Sequence, residues 1–135
     1  MRRVTDPATI EEARRQLLGA WELVAFEDRP TESDAWTQTY GPDPAGLISY
    51  DASGTVATIV PAAGSINELV AYYGAFRVTE ARVDGDVLRG VVEHHMEIAF
   101  PAWLFDEEPP RPFELSDGRL VLGDQRTARR ILRRR

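Results

Sequence analysis

The chain has 135 residues, 43% of them hydrophobic and 28% charged, with no cysteine and a formal net charge of −6. That length suits one domain able to bury a core without help from a metal or a disulfide, and no window approaches the ~18 apolar residues of a membrane span. A thiol nucleophile, a disulfide scaffold and a zinc–cysteine site are all excluded.

No apolar segment stands behind Met1-Arg2-Arg3, so no secretory signal is read there and a cytoplasmic protein is expected. All sixteen basic residues are arginine, which excludes Schiff-base lysine chemistry and a P-loop lysine. Residues 20–125 carry six arginines against nineteen acids, whereas residues 126–135 carry six arginines and no acid. A body this acidic repels nucleic acid and anionic membrane, so neither is an expected partner. The terminal arginine run has no interleaved aromatic and reads as a strand or tail that neutralises an acidic body.

After a leader at 1–8, residues 9–18 predict a short amphipathic helix, with Thr9 as cap, Glu12 at the capping-box position and Gly19 to end it. The period then changes from 3.6 to 2. A strand is expected at 21–27, a long loop at 28–46, and a hairpin of 47–50 and 55–60 turning through Asp51-Ala52-Ser53-Gly54. Residues 65–71 open with a Ser-x-x-Glu box and predict a short helix or turn. Strands follow at 72–79 and 87–100, then a loop through Pro101 and Pro110, strands at 111–115 and 119–122, and a closing strand at 128–133. Short, sequentially adjacent antiparallel strands favour a meander closed on itself, because closure removes both exposed edges. The prediction is a mainly β, small antiparallel up-and-down β-barrel of about eight strands over residues 20–133, with a short N-terminal helix, in one domain spanning 1–135. A five-strand open sheet with one helix is the alternative.

Several motifs follow the order of a known family. They are Leu17-Leu18-Gly19-Ala20-Trp21-Glu22-Leu23-Val24, then Tyr40-Gly41-Pro42-Asp43-Pro44-Ala45-Gly46-Leu47-Ile48-Ser49-Tyr50, and Ala71-Tyr72-Tyr73-Gly74-Ala75-Phe76-Arg77-Val78. The His94-His95 pair, Pro101-Ala102-Trp103, Arg111 and Leu120-Val121-Leu122 complete the set. From about residue 17 to 133 the chain resembles the bacterial and fungal lipocalin-like domain family. The resemblance implies a calycin-type barrel around a cavity and a setting near secondary-metabolite pathways. It also implies that Tyr50, Tyr73 and Trp103 lie near the barrel pocket. The acidic stretch after Trp103 and the lack of an aromatic in the last strand depart from the family pattern.

Both histidines lie on the strand 87–100 and must face opposite ways. One face carries Leu88, Gly90, Val92, His94, Met96, Ile98 and Phe100; the other carries Val91, Glu93, His95, Glu97 and Ala99. With an apolar interior, His94 points inward as a ligand partner or general base, or as a core histidine satisfied by a neighbouring tyrosine or a backbone carbonyl; with a polar cavity the assignment inverts and the Glu93, His95 and Glu97 face points in. Glu93, His95 and Glu97 stand about 7 Å apart, too far for three ligands on one small ion, so no metal is expected. Arg111 begins a strand at a barrel mouth and suits a carboxylate or enolate ligand, or pairs with a nearby glutamate. There is no G-x-S-x-G elbow and no dinucleotide fingerprint.

The expected function is binding of a hydrophobic, oxygen-bearing small molecule through Tyr50, Tyr73, His94, Trp103 and Arg111, with no cofactor. The alternatives are a cofactor-free isomerase or cyclase using His94, in which proximity and exclusion of water supply much of the effect, and a structural or interaction protein with a filled barrel. The oligomeric state is open, a homodimer included.

Overall fold

A computed structural model of the chain describes residues 3–61, 69–106 and 109–135, the side chains of Pro61, Trp103 and Phe105 apart. Within them, helix α1 (Pro7–Leu17) precedes nine strands: β1 (Gly19–Asp28), β2 (Thr37–Gln38), β3 (Leu47–Tyr50), β4 (Thr55–Pro61), β5 (Leu69–Asp84), β6 (Val87–Phe100), β7 (Arg111–Ser116), β8 (Arg119–Leu122) and β9 (Ala128–Arg134). A 3-10 turn over Ala102–Asp106 lies between β6 and β7. Strands pair antiparallel in the order β2-β1-β3-β4-β5-β6-β7-β8-β9, and β9 pairs back onto β1. The two-residue β2 hangs on the end of β1. Eight strands therefore close the ring, the mainly β up-and-down barrel with one short helix that the alternating pattern predicts. No described helix is long and apolar enough to cross a membrane.

The helix begins at Pro7 rather than at residue 9. Asp6 is its cap: the carboxylate accepts the Thr9 N–H at 3.0 Å and the Thr9 hydroxyl at 2.8 Å. Pro7 occupies the first helical position, where a missing N–H is harmless. Thr9 is thus buried inside the helix, and the chain leaves it at Leu18, with Gly19 opening β1 at a φ of +121° that favours glycine. Ala13 and Leu17 bury the helix's apolar side, and α1 packs on β5. Arg14 reaches the Ala52 carbonyl of the β3–β4 turn at 3.0 Å. Arg134 caps the helix C-terminus, donating to the Gln16 and Leu18 carbonyls at 2.6 and 2.7 Å, groups a helix end leaves without partners. The helix therefore covers the barrel end formed by the β3–β4 turn and the C-terminus. At the far end β4 finishes, β5 begins, β6 finishes and β7 begins.

The helix or turn expected over 65–71 falls largely outside the described residues, and its last three residues are instead the start of β5. The long β5–β6 hairpin is interrupted twice. Tyr73 pairs with Ile98 but Gly74 with Met96, which leaves Glu97 as an extra residue; Val78 pairs with Val92 but Glu80 with Val91, which leaves Thr79 extra. Each such bulge reverses the alternation beyond it. Glycine stands beside both. A Cβ on Gly74 would lie 1.9 Å from the His95 carbonyl oxygen, and one on Gly90 would lie 2.1 Å from that of Glu80, so backbones approach there as only glycine permits.

The barrel closes electrostatically as well as by hydrogen bonds. Strand β9 lies against the acidic side of β1: Arg129 meets Glu27 at 2.7 Å, Arg130 meets Asp28 at 3.0 Å and Arg133 meets Glu22 at 3.1 Å. The Arg29 and Arg129 guanidiniums both lie over the Trp36 ring, at 4.0 and 4.1 Å from its centroid, as two cation–π contacts. The terminal arginine run is a self-neutralising closing strand. Trp21, Phe113, Leu120 and Leu132 fill the interior beneath it and are buried to 2% exposure or less.

Candidate functional site

Inside the barrel, three polar side chains break the apolar lining between the β3–β4 turn, where Tyr50 stands, and the far end, where β5 begins. Tyr50 ends β3, Tyr72 lies near the start of β5, and His94 lies on β6 between Val92 and Met96, all of them on inward positions. The Tyr50 hydroxyl is 2.8 Å from His94 Nε2, and the Tyr72 hydroxyl is 2.7 Å from His94 Nδ1. His94 is 1% exposed. The Tyr50 and Phe76 rings meet edge to face at 4.9 Å, which fixes the inner wall of the cluster.

Arg111 opens β7 opposite Val92. Cross-strand partners project to one side of a sheet, so Arg111 shares the inward face with Val92, one inward step from His94. The electrostatics agree. Burial holds the His94 pKa well below the ordinary 6.5, and the positive charge of Arg111 lowers it further, with a smaller contribution from His95. The same arginine opposes the rise that burial imposes on Tyr50, whose hydroxyl is pushed far up and keeps its proton at any physiological pH. His94 is therefore a neutral imidazole near neutral pH. A neutral ring has one N–H and one bare nitrogen, so one tyrosine donates to it and the other accepts from it.

Thr58 adds a fifth polar group. It alternates on β4 with buried Val56 and Val60, is 5% exposed, and pairs directly with Tyr72 across β4–β5. Among the described residues its hydroxyl has no hydrogen-bond partner. Every Asp and Glu of β3–β7 lies instead on an outer position or at a strand end, so the inward face carries hydroxyls, an imidazole and a guanidinium with no protein carboxylate among them.

Of the residues singled out from sequence, Tyr50, His94 and Arg111 are brought together. Tyr73 is not: it is 42% exposed on the outer face, and its neighbour Tyr72 takes the inward position. The Trp103 side chain lies outside the described residues. The apolar face read on 87–100 holds through Met96 and then inverts, because the bulge at Glu97 turns Ile98 and Phe100 outward, the latter to 62% exposure. His95 faces out as expected, 3.1 Å from Glu93. Tyr72 could have been found by counting back in twos from Phe76 and Val78. Thr58 carried a fainter signal, a hydroxyl residue in phase with Val56 and Val60.

Two clefts of about 270 and 240 Å³ lie elsewhere, one beside Ala81, Gly90 and Phe113 and one between α1 and the β5–β6 and β7–β8 turns. Comparison with protein-family models, with curated proteins and with solved structures gave no match.

Proposed function

We propose that the protein binds a hydrophobic small molecule bearing an oxygen function, held inside the barrel against Tyr72 and His94. One observation carries this reading: a fully buried imidazole is held by two tyrosine hydroxyls inside a closed barrel lined mainly by apolar side chains. Buried polar groups weaken a core unless they are matched, and ligand sites combine apolar walls with a few converging polar groups in this way. The resemblance to lipocalin-like domains supports the same reading, including a setting in secondary metabolism. Eight-stranded barrels have room for packed side chains or for one small ligand.

A second reading is favoured by the proton path itself. Tyr50, His94 and Tyr72 form a continuous chain of hydrogen bonds, so a bound molecule at Tyr72 would exchange a proton with a neutral imidazole one bond away. An isomerisation or cyclisation needing one acid or base would then proceed without a nucleophile.

The test is native mass spectrometry of the purified protein, with extraction of any retained molecule, on the wild type and on His94→Gln. A retained apolar, oxygen-bearing species that the variant holds less well supports binding at this site. Turnover of that species lost in His94→Gln while binding persists selects the second reading. An empty protein that takes up no such molecule on incubation overturns both, and leaves a filled barrel.

A further inference from the structure

The hydrogen-bond inventory around His94 fixes the direction of its protons. Among the described residues the Tyr50 hydroxyl has one partner, His94 Nε2, and Tyr50 is almost completely buried. If Nε2 carried the proton and donated to Tyr50, the tyrosine's own proton would be left in the core without an acceptor, an arrangement that costs the desolvation of that group. The satisfied arrangement has Tyr50 donating to Nε2 and Nδ1–H donating to the Tyr72 oxygen. Tyr72 then keeps its own proton, directed away from His94. Directly opposite on β4, with Cβ atoms about 5 Å apart, stands the Thr58 hydroxyl, which has no partner among the described residues. Arg111 adds a positive charge near enough to act on His94 and Tyr50. Two spare donors are thus cross-strand neighbours with a cation close to them, and no carboxylate of β3–β7 takes an inward mid-strand position.

We propose that the ligand of this site is an acid or enol bound as its anion, its oxygen held between the Tyr72 and Thr58 hydroxyls under the charge of Arg111, with His94 as the positioning residue that aims the Tyr72 proton. This rests on the binding reading above and adds the ligand's charge and two ligand-contacting residues, Tyr72 and Thr58. An amine is repelled by the same set, and a hydrocarbon leaves both donors unmatched.

The test compares four probes with the same apolar body by titration calorimetry at pH 7.5: 2-naphthoate, 2-acetylnaphthalene, 2-ethylnaphthalene and 2-naphthylmethylammonium. The expected order of affinity is naphthoate, then the ketone, then the hydrocarbon, with the ammonium weakest. Thr58→Val and Tyr72→Phe keep the shape of the wall, and each is expected to weaken naphthoate about 5- to 10-fold, the range of one hydrogen bond, while leaving 2-ethylnaphthalene unchanged. Hydrocarbon and naphthoate bound equally, the ammonium bound best, or variants that weaken all probes alike would overturn the anion site while binding in the barrel stands. Failure of all four probes to bind overturns the anion site and the binding reading together.

Discussion

A histidine enclosed by tyrosine hydroxyls and apolar side chains resists protonation, and this gives the protein a characteristic response to pH. In the unfolded chain His94 titrates near ~6.5; in the barrel, burial first and Arg111 next hold it well below that value. Between the two values the unfolded chain binds more protons than the folded one, so stability rises with pH there. The contribution is complete above about pH 6.5 and is lost as pH falls towards the folded value. We expect thermal stability to drop between pH 6.5 and 5 by about 1–2 kcal/mol more in the wild type than in His94→Gln. Parallel pH profiles for the two proteins would show that His94 titrates freely. At this scale the sequence was partly legible. His94 could be selected because a polar residue on an apolar strand face must be matched, Arg111 because it opens a strand at a barrel mouth, and Tyr50 through resemblance. The choice of Tyr73 over Tyr72 came from resemblance rather than from the parity of Phe76 and Val78.

The β5–β6 hairpin shows how an element bends so that its residues line a barrel. A regular pair of 16- and 14-residue strands would keep one face inward throughout; two bulges change faces so that the strands coil around the axis. Period-2 reading located β6 to the residue, from Val87 to Phe100, yet it misplaced Ile98 and Phe100. A bulge arises from register between two strands, and one strand's pattern does not contain it. Gly74 and Gly90 were the visible trace, and their close approaches explain them. Gly74→Ala is expected to lower stability by about 3 kcal/mol or more, because backbone rather than a flexible side chain occupies the Cβ position. A loss below about 1 kcal/mol in denaturant unfolding would mean the strands separate there without difficulty. The helix depends on its neighbour in a similar way. Arg134→Ala removes two carbonyl caps and the 4.2 Å stack on Trp21, and is expected to speed amide exchange in the last turn of α1 several-fold while the β4–β5 amides keep their protection.

For the molecule as a whole, closure joins the two ends of the chain. An acidic first strand and an arginine-only last strand meet as neighbours, so a charge asymmetry visible in the composition becomes the β1–β9 seam. The sequence showed the asymmetry and the eight-strand count; it did not show that the positive strand lies beside Glu22, Glu27 and Asp28, which is a matter of topology. The turn into β9 is held by Asp124, whose carboxylate accepts from the backbone N–H groups of Thr127, Arg126 and Ala128 and from the Thr127 hydroxyl. Those bonds, the Thr127 backbone first, lower its pKa to about 2. The stabilisation is present above the ordinary carboxylate value and is lost as pH falls through about 2. Asp124 is solvent-exposed, so screening limits the effect. Asp124→Ala is expected to cost about 1 kcal/mol at pH 7 and progressively less below pH 4, as read from thermal melts across that range.

The most direct test of the binding site is the nitrogen spectrum of the two histidine rings, recorded at pH 7.5 with and without 2-naphthoate. His94 is expected to be a neutral Nδ1–H tautomer in the free protein, with ring signals that shift on addition of the probe while those of outward-facing His95 stay in place. A charged His94, or a probe that shifts His95 and leaves His94 untouched, would contradict it.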